Sequence, residues 1–277
     1  MRKLIILLFI ISLVALACKK ENPYIIKNPE SVVWNPVTNT YLISNAGSGN
    51  ILALKDKQEF SVFNQTKLTS PKGMVVFEDQ VYVTDVTQLV GFKLIDGKET
   101  FRCNVPGALY LNDIAVSNDN IIYASDTKSN SIVFFDPVNQ KSDTFKHKDL
   151  AAPNGLYYVQ QDSNSLLYIV SFRADAPIQT LNLTTREFKS IPNTNVSMAD
   201  GITRDFDGSW LVSSWADKTI HKFKPDFSAR TTLKDTVQAP ADIYYCKVNN
   251  ELAIPLFETN LVNFVTQIDT TKAKTKK

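Results

Sequence analysis

The feature that most constrains this chain is repetition, because one pattern is written six times along it. The copies are "NPESVVWNPVTNTYLISNAGSGNILAL" from residue 28, "SPKGMVVFEDQVYVTDVTQLVGFKL" from 70 and "YLNDIAVSNDNIIYASDTKSNSIVFFD" from 110. They continue with "APNGLYYVQQDSNSLLYIVSFRADAPIQTLNL" from 152, "MADGITRDFDGSWLVSSWADKTIHKFKPD" from 198 and "APADIYYCKVNNELAIPLFETNLVNFVTQ" from 239. Each has a polar or small opening and then three short runs rich in Val, Ile, Tyr, Phe and Trp. Breaks such as "NPVTNT", "EDQ", "SNDN" and "DFDGS" separate the runs. Short β-rich runs joined by Asn, Asp, Ser and Gly turns are a strand and hairpin signature. Beyond the first twenty residues no useful stretch places apolar residues at helical spacing, so the chain reads as all-β.

With Glu30, Lys72, Asn112, Asn154, Asp200 and Ala241 as equivalent opening positions, the steps are 42, 40, 42, 46 and 41 residues. A period of about 40–45 residues with four strands per unit is the size of a propeller blade. Six units predict a six-bladed β-propeller with four-stranded blades. The sixth unit runs out of chain after its third run, so "PYIIK" (23–27) is expected to supply the last strand and close the ring. The domain boundaries read as 1–17 signal peptide, 22–267 propeller and 268–277 Lys-rich tail.

Composition adds exclusions. A formal net charge of +2 with 44% hydrophobic residues describes an ordinary globular chain and offers no electrostatic footprint for nucleic acid. The start "MRK", the apolar run "LIILLFIISLVALA" and Cys18 after Ala17 have the shape of an export signal, too short for a membrane span. Ala15-Leu16-Ala17-Cys18 resembles the bacterial lipoprotein processing box, which implies a lipid on Cys18. The expectation is an exported monomer held at a membrane face only through that lipid; simple secretion is the alternative. Cys103 and Cys246, far apart in sequence, are expected to be buried free thiols. His147 and His221 are expected at the surface.

In a propeller the innermost strand of every blade starts on one face, so the six opening positions converge on the central channel. That ring would hold Glu30, Lys72, Asn112, Asn154, Asp200 and Ala241. A second ring, at the end of each second run, would hold Asn45, Asp85, Asp126, Phe172, Trp215 and Phe257. Carboxylates and amides facing one small space suit a hard divalent cation, Ca²⁺, Mg²⁺ or Mn²⁺, with Zn²⁺ also open. The same Asn and Asp residues could instead serve only as turn caps.

"PESVVWNP", "LNDIAV", "PNGLYY" and "ADGITRDFDGSWLVSSW" are similar, in order and spacing, to the blade motifs of the regucalcin/gluconolactonase family of six-bladed propellers. The resemblance spans about residues 28–267. It implies one divalent metal on Glu30, Asn154 and Asp200, substrate contacts from Asn112 and Asp113, and lactone hydrolysis. In that chemistry the metal polarises the carbonyl and acidifies a bound water, with Asp200 as ligand and general base. Three departures matter: Tyr110 stands where the family often has Arg, Ser31 where it has Gly, and Lys72 points into the ring. Lys72, Tyr110 and Trp215 are therefore candidate substrate contacts for a small-molecule ligand more apolar than a sugar acid. No Gly-x-Ser-x-Gly, His-Glu-x-x-His or phosphate loop competes with this reading. The alternative is a non-catalytic propeller that binds a ligand or a protein.

Overall fold

The structure is a computed structural model that describes residues 25–161 and 164–266. The expected signal peptide, Cys18 and the Lys-rich tail lie outside the described residues. Blade 1 comprises β1 (Pro29–Asn35), β2 (Thr40–Asn45), β3 (Asn50–Lys55) and β4 (Glu59–Val62). Blade 2 comprises β5 (Pro71–Phe77), β6 (Gln80–Asp85), β7 (Gln88–Lys93) and β8 (Glu99–Asn104). Blade 3 comprises β9 (Leu111–Val116), β10 (Ile122–Asp126), β11 (Ser131–Asp136) and β12 (Lys141–Phe145). Blade 4 comprises β13 (Pro153–Gln161), β14 (Asn164–Ser171), β15 (Gln179–Asn182) and β16 (Phe188–Ser190). Blade 5 comprises β17 (Ala199–Arg204), β18 (Trp210–Ser214), β19 (Thr219–Phe223) and β20 (Arg230–Lys234). Blade 6 comprises β21 (Tyr244–Cys246), β22 (Glu251–Leu256) and β23 (Leu261–Thr266).

Each blade is an antiparallel meander in sequence order. Inner strands follow one another around the ring, β1 against β5, then β9, β13, β17 and β21, which returns to β1. This is the predicted six-bladed β-propeller.

Side-chain alternation explains why the sequence folds this way. Successive residues of a strand point to opposite faces of its sheet. In a radial arrangement both faces are covered by neighbouring blades. Val33 and Leu42 accordingly pack toward blade 2, with Met74, Val83 and Phe92. Their chain neighbours Val32 and Ile43 pack toward blade 6, with Cys246 and Ala253. Six such interblade clusters form one closed core. The strands therefore read as nearly continuous apolar runs rather than as apolar-polar alternations.

The last blade shows three strands among the described residues. The expected closing strand falls partly outside them. Of its described residues, Ile26 packs on the cluster shared by blades 6 and 1. Ile25 and Lys27 are held by the Asn45 carboxamide: Nδ2 donates to Ile25 O at 2.9 Å, and Lys27 N donates to Oδ1. Asn28 ties this segment to blade 6 through Asn260 Oδ1 and Phe257 O.

Two minor expectations need correction. Cys103 is half-buried on outer strand β8, so of these two only Cys246 is buried; both are free. His221 is buried rather than superficial, because β19 is covered on both faces, and its Nε2 lies 2.8 Å from Asp217 Oδ2.

Candidate functional site

A β-bulge carries each of five opening residues. The ladder between inner and second strand skips between Pro29 and Val32, Pro71 and Met74, Pro153 and Leu156, and Ala199 and Ile202. The same skip leaves Asn112 and Asp113 unpaired in blade 3. A bulge bends its strand and re-aims a side chain. Glu30, Lys72, Asn112, Asn154 and Asp200 thus leave the sheet plane and turn into the channel mouth instead of the interblade core. The sixth position, Ala241, is buried just before β21 and supplies no polar group.

Hydroxyl groups one strand out brace the bulges. Ser44 Oγ accepts from Ser31 N at 2.8 Å, Ser125 Oγ from Asp113 N at 2.9 Å, and Ser213 Oγ from Gly201 N at 2.8 Å. Ser213 Oγ also donates to Ala241 O at 2.8 Å, linking blade 5 to blade 6. Buried N–H groups left unpaired cost about 1–3 kcal/mol each, so these hydroxyls stabilise an otherwise unfavourable irregularity.

Lys72 is the centre of the mouth. Its ammonium donates to Glu30 Oε1 at 2.7 Å, and both side chains are more than nine-tenths buried. Burial opposes the charge, but Glu30, Tyr110 and Asp200 together outweigh it and hold the ammonium above its ordinary range. The cation also lies 5.3 Å from the Tyr110 ring centre and 5.6 Å from that of Phe257. Asp200 is buried as well. Burial and the nearby Glu30 push its carboxyl well up, while Lys72 and Trp215 oppose this. The Trp215 indole approaches the Asp200 carboxyl, but neither Asp200 Oδ1 nor Trp215 Nε1 completes a hydrogen bond of good geometry with a described residue.

The second ring requires a correction of one residue. Asn45, Asp85 and Asp126 pair in the ladder with Pro29, Pro71 and Leu111, and their true counterparts are Ser171 and Ser214. A one-residue slip along a strand moves a side chain to the opposite face. Asp85 accepts from Thr69 N and Ser70 N, and Asp126 from Leu109 N, Tyr110 N and Ser129 N. These two carboxylates clamp the loops that lead into the mouth. Phe172, Trp215 and Phe257 belong one position later and form an aromatic arc, with ring centres 5.4 and 5.6 Å apart.

The remaining predicted site residues divide. Asn154 is buried at the mouth, and its carboxamide has no hydrogen bond to another described residue. Asn112 Nδ2 donates weakly to Thr127 Oγ1 at 3.3 Å. Asp113 lies deeper and has both oxygens engaged, Oδ1 by Ile114 N at 2.7 Å and Oδ2 by Leu156 N at 2.6 Å. Burial still pushes its carboxyl up to about 7. Sequence reasoning missed the bracing hydroxyls and Asp242. A signal for the hydroxyls was present, since Ser44, Ser125 and Ser213 are polar interruptions near the ends of apolar runs.

A ring of six radial sheets with bulge-borne polar side chains at one end of its channel defines the class: a six-bladed β-propeller with a polar central mouth. No protein-family model matches the sequence, and no curated protein sequence matches it. Among solved structures, a gluconolactonase of Xanthomonas campestris superposes with a TM-score of 0.70 at 14% identity, covering 87% of each chain. Virginiamycin B lyase from Staphylococcus aureus gives 0.63 at 14% identity, covering 88% of this chain and 86% of that one. A streptogramin B lyase gives 0.62 at 18% identity, covering 84% and 78%. The likeness is one of fold, and that fold is the one the blade motifs imply.

Proposed function

We propose that the mouth binds a small lactone or related ester and hydrolyses it. The carrying observation is the pair of buried, unpartnered atoms, Asp200 Oδ1 and Trp215 Nε1, beside the Lys72–Glu30 ion pair. Buried polar atoms that lack a protein partner are suited to groups that arrive with a ligand. The ligand carbonyl oxygen would accept from Lys72 Nζ, which meets the charge that develops there as water adds. Asp200, as carboxylate, would take the proton of that water while its oxygen bonds to the carbonyl carbon. The ester C–O bond then breaks, and the leaving alkoxide regains the proton from Asp200. Phe172, Trp215, Phe257 and Tyr110 would line the apolar body of the substrate.

Glu30, Asn154 and Asp200 are also the residues that would hold a divalent ion. The unpartnered Asp200 oxygen and the unengaged Asn154 carboxamide fit a hard cation. Such an ion would polarise the carbonyl and acidify water. Among the described residues no group of three or more His, Cys, Asp or Glu side chains is arranged to hold a metal, so the third donor would be the Asn154 amide. Glu30 would also have to exchange its ammonium partner for the ion.

Turnover of a lactone panel, with and without added Ca²⁺, Mg²⁺, Mn²⁺ or Zn²⁺, tests this reading. Asp200→Asn is expected to lower turnover by about 10²–10⁴-fold, the range for losing a general base. Unchanged turnover in that variant would remove Asp200 from the chemistry. No turnover on any lactone under any ion would leave a propeller that binds ligand without reacting, the reading that the aromatic arc alone supports. We place the protein outside the cytoplasm, anchored by a lipid on Cys18. Cys18→Ser is expected to move it from the membrane to the soluble fraction, and unchanged fractionation would sink that placement.

A further inference from the structure

The channel has a second compartment at its other end. A cavity of about 350 Å³ lies among the later halves of the inner strands and contains none of the mouth residues Glu30, Lys72, Asn154 or Asp200. That volume is at the small end of ligand pockets, which span about 300–1,000 Å³. Val33, Val75, Ala115 and Ile243 contribute apolar wall, and Tyr157 and Tyr244 add aromatic wall. Asp113 and Asp242 are the carboxylates that line it.

The two acids differ. Both Asp113 oxygens accept backbone N–H groups, so its charge is internally compensated. Asp242 accepts only the Ser31 hydroxyl, on Oδ2 at 2.6 Å, and makes no ion pair with a described residue. Neither basic group that lines the chamber pairs with Asp242. Arg204 donates to Gly208 O at 3.0 Å and lies over the Trp210 ring, while Lys247 is exposed at the rim. A charge placed in an apolar chamber is costly unless it is paired. A ligand ammonium on an apolar stem would supply that pairing, and the flanking Tyr rings would favour the same cation.

We propose that this far chamber is a binding site for a small organic amine, with Asp242 Oδ1 as the partner of its ammonium group. The site is separate from the lactone mouth and stands whether or not that mouth is catalytic. Calorimetric titration with 2-phenylethylamine, 2-phenylethanol and 3-phenylpropionate tests it, because the three probes share a body and differ in charge. The amine is expected to bind at one site per chain, at least about tenfold more tightly than either analogue, a difference of about 1.4 kcal/mol. Asp242→Asn is expected to abolish the preference for the amine. Val75→Phe, at a half-buried wall position, is expected to weaken the amine by partly filling the chamber and leaves the carboxylate intact. Asp200→Asn is expected to keep the preference for the amine over both analogues. Absence of amine binding, equal binding of the three probes, or loss in Asp200→Asn but in neither chamber variant would overturn the proposal.

Discussion

Exchanging Lys72 for Met is expected to destabilise the protein by about 3–5 kcal/mol in buffer free of divalent ions, the range for breaking a buried ion pair from one side. Met keeps the length of the side chain and its contact with the Tyr110 and Phe257 rings, so the loss isolates the charge. Glu30, with its side chain 4% exposed, would be left without its cation and with Asp200 as an acidic neighbour. Urea midpoints with chelator and with each divalent ion provide the measurement. If Glu30, Asn154 and Asp200 can hold a metal, the ion should restore much of the loss in Lys72→Met and do little for the parent chain. An ion at about 100 times its Kd contributes about 2.7 kcal/mol. Equal midpoints with and without ions in both proteins would show that the three residues do not form a metal site even with the ammonium gone. The double variant Glu30→Gln, Lys72→Met is expected to regain most of the stability, since replacing both partners of a buried pair is often neutral or favourable. That recovery would separate the worth of the pair from the cost of orphaning one member.

This dependence on one lysine shows where the sequence could and could not be read. The six units were legible because both faces of every blade are covered, so Val32 and Val33, or Leu42 and Ile43, are apolar for opposite neighbours and mark the strand together. The convergence of Glu30, Lys72, Asn154 and Asp200 was legible for a related reason, since equivalent positions of a closed ring must meet. What was not legible was register. Whether Trp215 or Ser214 matches Asp126 depends on a bulge that exists only when two strands are paired, and a slip of one residue exchanges clamp for pocket. Asp242 was hidden differently. It follows an apolar opening residue in a blade whose first strand begins late, at Tyr244, and its place in the ring is revealed by the closing contacts with blade 1, Asp242 N to Glu30 O at 2.9 Å and the Ser31 hydroxyl to Asp242 Oδ2.

The residue after Asn154 carries the second large expectation. Gly155→Ala should cost at least about 1–3 kcal/mol, the usual range for overpacking, and should impair the mouth more than that loss alone implies. A Cβ at this position would stand 2.3 Å from the carbonyl oxygen of Asp200 and 3.0 Å from Gly201 Cα. Both are backbone atoms of β17, so no side-chain rotation relieves the clash, and β13 must move away from β17. The two strands carry Asn154 and Asp200 on their bulges, so the same movement separates two of the three proposed ligands. A displacement of about 1 Å at a reacting site can cost about 10²-fold in rate, which sets the expected loss of lactone turnover under the proposed hydrolysis. Gly107→Ala is the matched control. Gly107 has a φ of 76° but nothing within 4 Å of an added Cβ, so only backbone strain of about 1–2 kcal/mol is expected there. Thermal melts and ligand binding measured on both variants separate the effects. A Gly155→Ala protein that melts like Gly107→Ala and keeps full affinity at the mouth would show that β13 and β17 tolerate separation, and that the close strand approach is not what positions Asn154 and Asp200.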